Sequence, residues 1–265
     1  VLRFSSDQKR YICTKVAYLR YFIEIAFHGA AYAGWQKQPF DITVQSVVEK
    51  ALFTVFQSEV ACVGAGRTDA GVHASFFVAH FDVEQYFDER QFIFKMNQLL
   101  PHDVSVRDVY PVNAEAHARF DAISRTYEYY ITQQKDPFRL DRATYIKKLL
   151  SVDLMNQAAE VLLEFTNFKC FSKVNTQVHT YNCSIKQAYW EQKEHLLVFR
   201  IQADRFLRNM VRAIVGTLIE LGLRKRSIDE LRQIIKSENR SKAGKSMPAH
   251  ALFLTDIVYP QNIKI

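Results

Sequence analysis

Cys62-Val-Gly-Ala-Gly-Arg-Thr-Asp-Ala-Gly-Val-His-Ala74 is the stretch on which the reading of this chain turns. It opens apolar and β-branched, bends through three glycines, an arginine, a threonine and an aspartate, and returns to the apolar run Ser75 to Phe81. That profile predicts a strand entering a tight loop and a second strand leaving it. The glycines allow the loop to fold back and present Arg67 and Asp69 to a cleft. Asp69 is the only carboxylate between Glu59 and Asp82. An Asx turn on a glycine bend would account for the same residues without any chemistry.

Outward from the loop, the alternation of Tyr18 to Phe27 predicts a half-buried strand. Thr43 is placed to cap a helix reaching about Ser58, with Val44, Val47, Val48, Ala51, Leu52 and Val55 on one face. After the strand Ser75 to Val83, Asp88 begins a helix that Pro101 stops by Leu100, and Val104 to Val112 is a strand. The order is strand, helix, strand, strand, helix, strand. It recurs as a strand from Ser124 to Thr132, a helix near Val152 to Phe165, strands over Tyr181 to Glu191 and Leu196 to Ala203, a long helix from Arg205 to about Leu221, and a strand from Ala251 to Tyr259. Ser227 and Glu230 form a capping box for one added helix. The expected fold is α+β: a polar arm over 1–17, then two ferredoxin-like (split βαβ) halves, 18–117 and 118–265, whose antiparallel sheets join with a basic cleft between them.

The chain has 265 residues, 48% of them apolar and 24% charged, enough for one large core or two compact ones. Cys13, Cys62, Cys170 and Cys183 are scattered, with no Cys-x-x-Cys pair, so no structural metal and a reducing compartment are expected. Val1 to Lys15 carries charges throughout, and no apolar run approaches the ~20 residues of a membrane span. A soluble, cytoplasmic protein is the expectation. Thirty-five Lys and Arg against 28 Asp and Glu leave a formal charge of +7, which favours a polyanionic partner.

Gly66-Arg-Thr-Asp-Ala-Gly-Val-His73 closely resembles the active-site motif of the TruA family of tRNA pseudouridine synthases. The resemblance implies that Asp69 is the catalytic nucleophile and that Arg67, with Thr68 beside it, helps to hold a target nucleotide flipped out of its helix. Gly64 stands where some members have cysteine. Arg205-Phe-Leu-Arg-Asn-Met-Val-Arg212 is similar to the family's Phe-Leu-x-x-Met-Val-Arg segment, whose arginine pairs with the catalytic carboxylate, here Arg212. A guanidinium beside a carboxylate in a cleft favours its ionised form. On a helix, Arg205, Arg208 and Arg212 would share one face, suited to phosphate or simply solvated.

Arg125-Thr-Tyr127-Glu-Tyr129 is similar to the family's Arg-x-Tyr-x-Tyr strand, in which the first tyrosine lies against the target base; that role passes to Tyr127, although core packing is the ordinary fate of such an aromatic. Leu252 matches an apolar residue beneath the base, with Ala251 replacing a common glycine. Tyr32 to Gln38 looks like the family's loop after the first strand, and Trp35 serves equally as an RNA-facing residue or a core anchor. His73 is assigned no chemistry. Arg224 to Arg226, and Arg240, Lys242 and Lys245, are basic loop positions that are solvated or touch phosphate, and Lys245 joins the RNA-binding set.

The family further implies isomerisation of uridines 38, 39 and 40 in the anticodon arm of tRNA, without cofactor or metal, by a homodimer. An RNA-binding protein or chaperone lacking turnover would not require Asp69, Tyr127 and Arg212 together. A phosphate-loop enzyme is disfavoured because no Gly-Lys-Ser/Thr follows Gly64-Ala-Gly66.

Overall fold

The computed structural model describes residues 18–174 and 178–265, so the arm over 1–17 lies outside the described residues. In chain order the elements are β1 (Leu19–Phe27), α1 (Val44–Phe56), β2 (Cys62–Gly64), β3 (His73–Val83), α2 (Glu89–Leu99), β4 (Val104–Val112), β5 (Ser124–Thr132), β6 (Thr144–Tyr145), α3 (Val152–Val161), β7 (Ile185–Lys193), β8 (Leu196–Ala203), α4 (Met210–Gly222), α5 (Ile228–Lys236) and β9 (Leu252–Val258).

Side-chain caps fix several of these ends. The Thr43 hydroxyl accepts the Ser46 N–H at the head of α1, Asp88 accepts the Gln91 N–H at α2, and Ser227 and Glu230 close a reciprocal box at α5. The start of α4 departs from the sequence expectation. Asn209 sits at φ 66°, in the left-handed region that ends regular helix, so Arg205 to Asn209 form a loop and α4 begins only at Met210. Nor is α4 a helix with a solvated basic face. Every residue in it except Arg212 and Glu220 is buried, the pattern of a central core helix.

The α+β fold rests on one mostly antiparallel sheet of nine strands, in the order β4-β1-β3-β9-β5-β8-β7, with β2 added to β3 and β6 to β5. The first four strands lie fourth-first-third-second in chain order, and β9-β5-β8-β7 repeats that arrangement for the later strands. The two runs meet at a parallel pairing of only two residue pairs, His73 with Phe253 and Ala74 with Leu254.

One core lies among β1–β4, α1 and α2 and includes Leu52, Phe77 and Met96; the other lies among β5, β7, β8, α3, α4 and α5. β9 serves both, sending Leu254 and Ile257 to the first and Leu252 to the second. Val72, in the glycine-rich loop before β3, is 2% exposed and belongs to the second core, so the loop is anchored across the seam. Among the described residues no helix is long and apolar enough to cross a membrane.

Candidate active site

The loop from Ala65 to Val72 is shaped mainly by main-chain contacts. Gly34, at φ +92°, lies so close to the Thr68 carbonyl that a Cβ there would overlap it, and the Thr68 hydroxyl accepts the Trp35 N–H at 3.0 Å. Trp35 is itself core, 1% exposed against Phe77, which settles the two readings of that residue. Gly64 makes room for it, since a Cβ at that position would strike the indole. Gly71, at φ +79°, donates its N–H to the Tyr32 carbonyl, and Val72 closes the turn on the Asp69 carbonyl at 3.2 Å.

His73 finishes the loop. Its Nδ1 accepts the Gly29 N–H at 3.0 Å, so the proton of the neutral ring sits on Nε2, which faces the carbonyls of Asp141 (3.0 Å) and His250 (2.9 Å). Burial, with His28 adding to it, lowers its pKa and favours that neutral form. The histidine of the motif thus bonds the three segments that meet at the seam. Arg125 secures the other end of the loop by donating to the Ala65 and Asp204 carbonyls at 3.0 and 2.7 Å.

Asp69 is left with its carboxylate 22% exposed and facing two arginines from the other run of the chain. Arg212 Nη1 lies 3.0 Å from Oδ2, whereas the more exposed Arg208 places Nε 3.8 Å from Oδ1. Arg212, in the first turn of α4, is held at both ends: its Nε donates to the Met247 carbonyl at 2.6 Å and its own carbonyl accepts the Met247 N–H at 3.1 Å. The guanidinium is therefore set by a segment packed on the helix and can hold one carboxylate oxygen in place.

Around this pair opens a cleft of about 620 Å³, lined by Asp69, Lys173, Arg208, Asn209, Arg212 and Arg240 among others. Four of those six are cationic and one is an acid. Lys173 and Asn209 carried no signal that sequence reasoning used; for Asn209 the tolerance of asparagine for positive φ was the one signal available. Arg240 was legible only as one member of a basic loop.

Tyr127 lies between the two cores, its ring edge-on to Phe206 at 5.1 Å. Burial above all pushes its hydroxyl up to about 12; Asp69 adds to that and Arg125 opposes it, so the phenol is protonated at neutral pH. Leu252, 6% exposed, pairs with Tyr129 across β9 and β5. Arg67 and Lys245 are exposed, while Thr68 and Arg205 are half-buried; Arg67, Arg205 and Lys245 do not line the cleft around Asp69. Among the described residues no group of three or more His, Cys, Asp or Glu side chains is placed to hold a metal ion.

Residues 158–260, which include Arg212, match the family model described as tRNA pseudouridine synthase. The chain is 49% identical over 245 residues to the tRNA pseudouridine synthase A of Parabacteroides distasonis, covering 92% of this chain and 97% of that protein. It is 52% identical over 246 residues to that of Bacteroides fragilis, covering 92% and 98%, and 35% identical over 241 residues to that of Dictyoglomus thermophilum, covering 89% and 98%. Likeness of that extent, over nearly the whole of each protein, places this chain in the TruA family of tRNA pseudouridine synthases.

Proposed function

We propose that the protein isomerises uridine to pseudouridine at positions 38, 39 and 40 of the tRNA anticodon arm, with Asp69 as covalent nucleophile. The observation that carries this reading is the Arg212–Asp69 pair, 3.0 Å apart on the wall of a cationic cleft and contributed by two distant parts of the chain. A stacked base is out of reach of such a carboxylate, so the nucleotide is flipped into the cleft at a cost of about a few kcal/mol. Arg67, Arg205, Arg208 and Lys245 meet its phosphates and neighbours, Thr68 lies beside it, and Tyr127 and Leu252 support the base.

With Oδ2 bonded to Arg212 at 3.0 Å and Oδ1 only at 3.8 Å from Arg208, Oδ1 is the less tightly held oxygen and the one to attack, at C6 of the base or C1′ of the ribose. Asp69 bonds to that carbon, the N1–C1′ bond breaks, the base turns, C5 bonds to C1′, the bond to Asp69 breaks and returns the carboxylate, and the proton lost from C5 is balanced by the one gained at N1. No atom enters or leaves overall, so the reaction needs no cosubstrate. Because the Tyr127 phenol keeps its own proton at neutral pH, its part in removing the C5 proton is to relay rather than to act as phenolate.

The same reading takes the chain as two split βαβ halves, 18–117 and 118–265, supported by the repeated strand order on either side of the β3–β9 seam. It places the enzyme in the cytoplasm as a homodimer, which sedimentation velocity checks against the 30.9 kDa chain mass.

Incubating the protein with unmodified tRNA and mapping pseudouridine tests the activity and its positions together. Product at 38–40 from the native chain and none from Asp69→Ala is the expected result. Product formed by Asp69→Ala would remove the nucleophile assignment, and modification confined to other positions would remove the anticodon-arm assignment.

A further inference from the structure

Ser246 lies outside every motif of the sequence, yet its hydroxyl oxygen receives two hydrogen bonds. Asn209 Nδ2 donates to it at 2.6 Å and Arg240 Nη2 at 2.7 Å. Two donors use both lone pairs of a hydroxyl oxygen, so the side chain is saturated as an acceptor. The two donors line the cleft from separate elements: Asn209 is the residue before α4, Arg240 lies in the turn after α5.

The backbone on either side of Ser246 explains what this junction can do. Met247, the next residue, exchanges both of its main-chain hydrogen bonds with Arg212. Gly244 and Lys245, the two preceding residues, are pressed onto α4. The Gly244 N–H donates to Thr217 Oγ1 at 2.9 Å, and a Cβ at Gly216 would overlap the Lys245 carbonyl. Arg240 Nη1 also donates to the Gly244 carbonyl at 3.1 Å. The strip 244–247 is thus clamped along the helix, with Ser246 tying it to the turn on which Arg212 stands.

We propose that Ser246 is a positioning residue for the Arg212–Asp69 pair. Its hydroxyl fixes the Met247 carbonyl relative to the first turn of α4, and that carbonyl aims the Arg212 guanidinium at Asp69 Oδ2. The left-handed Asn209 is part of the device, since its backbone turns the amide toward Ser246 while α4 starts one residue later. The proposal rests on the reading of Asp69 as nucleophile and of Arg212 as its partner.

The test is single-turnover pseudouridine formation and tRNA binding measured side by side. Ser246→Ala removes an acceptor for a charged donor, and the rate is expected to fall about 10- to 100-fold. The tRNA Kd should stay within about twofold, because no predicted phosphate contact is removed. Ser246→Thr keeps the oxygen and should restore most of the rate. Asn209→Gly permits the left-handed backbone while removing the side chain that carries the amide, and should reproduce the loss with the fold intact, even if Ser246→Ala folds poorly. An unchanged rate in Asn209→Gly and in folded Ser246→Ala, a loss carried entirely by tRNA affinity, or no recovery in Ser246→Thr would overturn the proposal. Asp69→Ala run in parallel separates the two ideas: activity there sinks the nucleophile, whereas an inactive Asp69→Ala beside a fully active Ser246→Ala sinks only the positioning role.

Discussion

The two sides of the ion pair are built by opposite means. Asp69 sits on a loop shaped by main-chain contacts: Gly29, Gly34 and Gly64, on the segments around it, let backbone or indole come too close for any Cβ, and one buried side chain, Val72, anchors it to the other core. Arg212 stands on a helix buried on nearly every side, whose position is fixed by packing and whose single cation is steered by the neighbouring strip. On the proposed reading Asp69 needs room for an incoming nucleotide, and it is placed by backbone, which occupies little space. A cation needing only to be aimed can be placed by bulk.

That contrast can be broken or sharpened by substitution. The largest effect is expected at the pair itself. Arg212→Ala leaves a partly buried carboxylate without its nearest cation, a loss of about 2–5 kcal/mol that amounts to a fall of about 30- to 5,000-fold in turnover. The tRNA Kd should change far less, and a parallel loss of affinity in filter binding would make Arg212 a phosphate contact instead. Arg212→Lys should not rescue, since one ammonium cannot serve both the Met247 carbonyl and Asp69.

Next comes a test of the scaffolds by thermal unfolding. Gly34→Ala forces a side chain onto φ +92° and into the Thr68 carbonyl, costing about 1–3 kcal/mol from the backbone alone. Ile214→Val, in the buried face of α4, should cost about 0.5–1.5 kcal/mol. If Ile214→Val proved the more damaging, packing would matter more than backbone fit, and the contrast would fail.

Acid should also probe the Asp69 side. His80, on β3, is buried and accepts the Ala118 N–H through Nδ1 at 3.1 Å; burial first, then Arg20 and His117, lowers its pKa to about 4. Its contribution is complete above the unfolded value of 6.5 and is lost as pH falls toward about 4, with a slope of about 1.4 kcal/mol per pH unit from this one group. His80→Gln should flatten that part of the stability profile; an unaltered profile would remove His80 as its source. The smallest effect concerns exposed cations. Arg208→Gln or Lys245→Gln should each reduce the salt slope of tRNA binding by about 0.7–0.9 if the residue meets one phosphate, and an unchanged slope would return it to solvent.

Most of the elements were legible because they are written locally. Thr43, Asp88 and Ser227 cap where their side chains predict, and β4, β5 and β8 begin and end at the expected residues. The start of α4 was not legible, because between Arg205 and Gly216 no proline or glycine interrupts the pattern. Asn209 alone makes the break, by tolerating a conformation that most residues avoid. The arginine face drawn on that longer helix dissolved with it, although Arg208 and Arg212 still reach Asp69 from loop and helix separately. Asp69 and Arg212 were readable through the motifs they sit in. Lys173, Asn209 and Arg240 were not, because their place on the cleft depends on contacts between segments far apart in the chain, which no local period encodes. The parallel seam escaped for the same reason.

The position of β9 has a consequence for how the enzyme comes into being. The last strand in the described chain is the middle of the sheet, between β3 and β5; β2 and β6 cover other parts of those two edges, but the junction between β3 and β5 stays open until nearly all the described chain has left the ribosome. Such late, long-range pairing is slow to form. While it is pending, the start of β3 at His73 and Ala74 and β5 from Ser124 to Tyr129 leave open hydrogen-bonding edges to whatever other chains are nearby. The arrival of β9 is what joins the two runs of strands into one sheet.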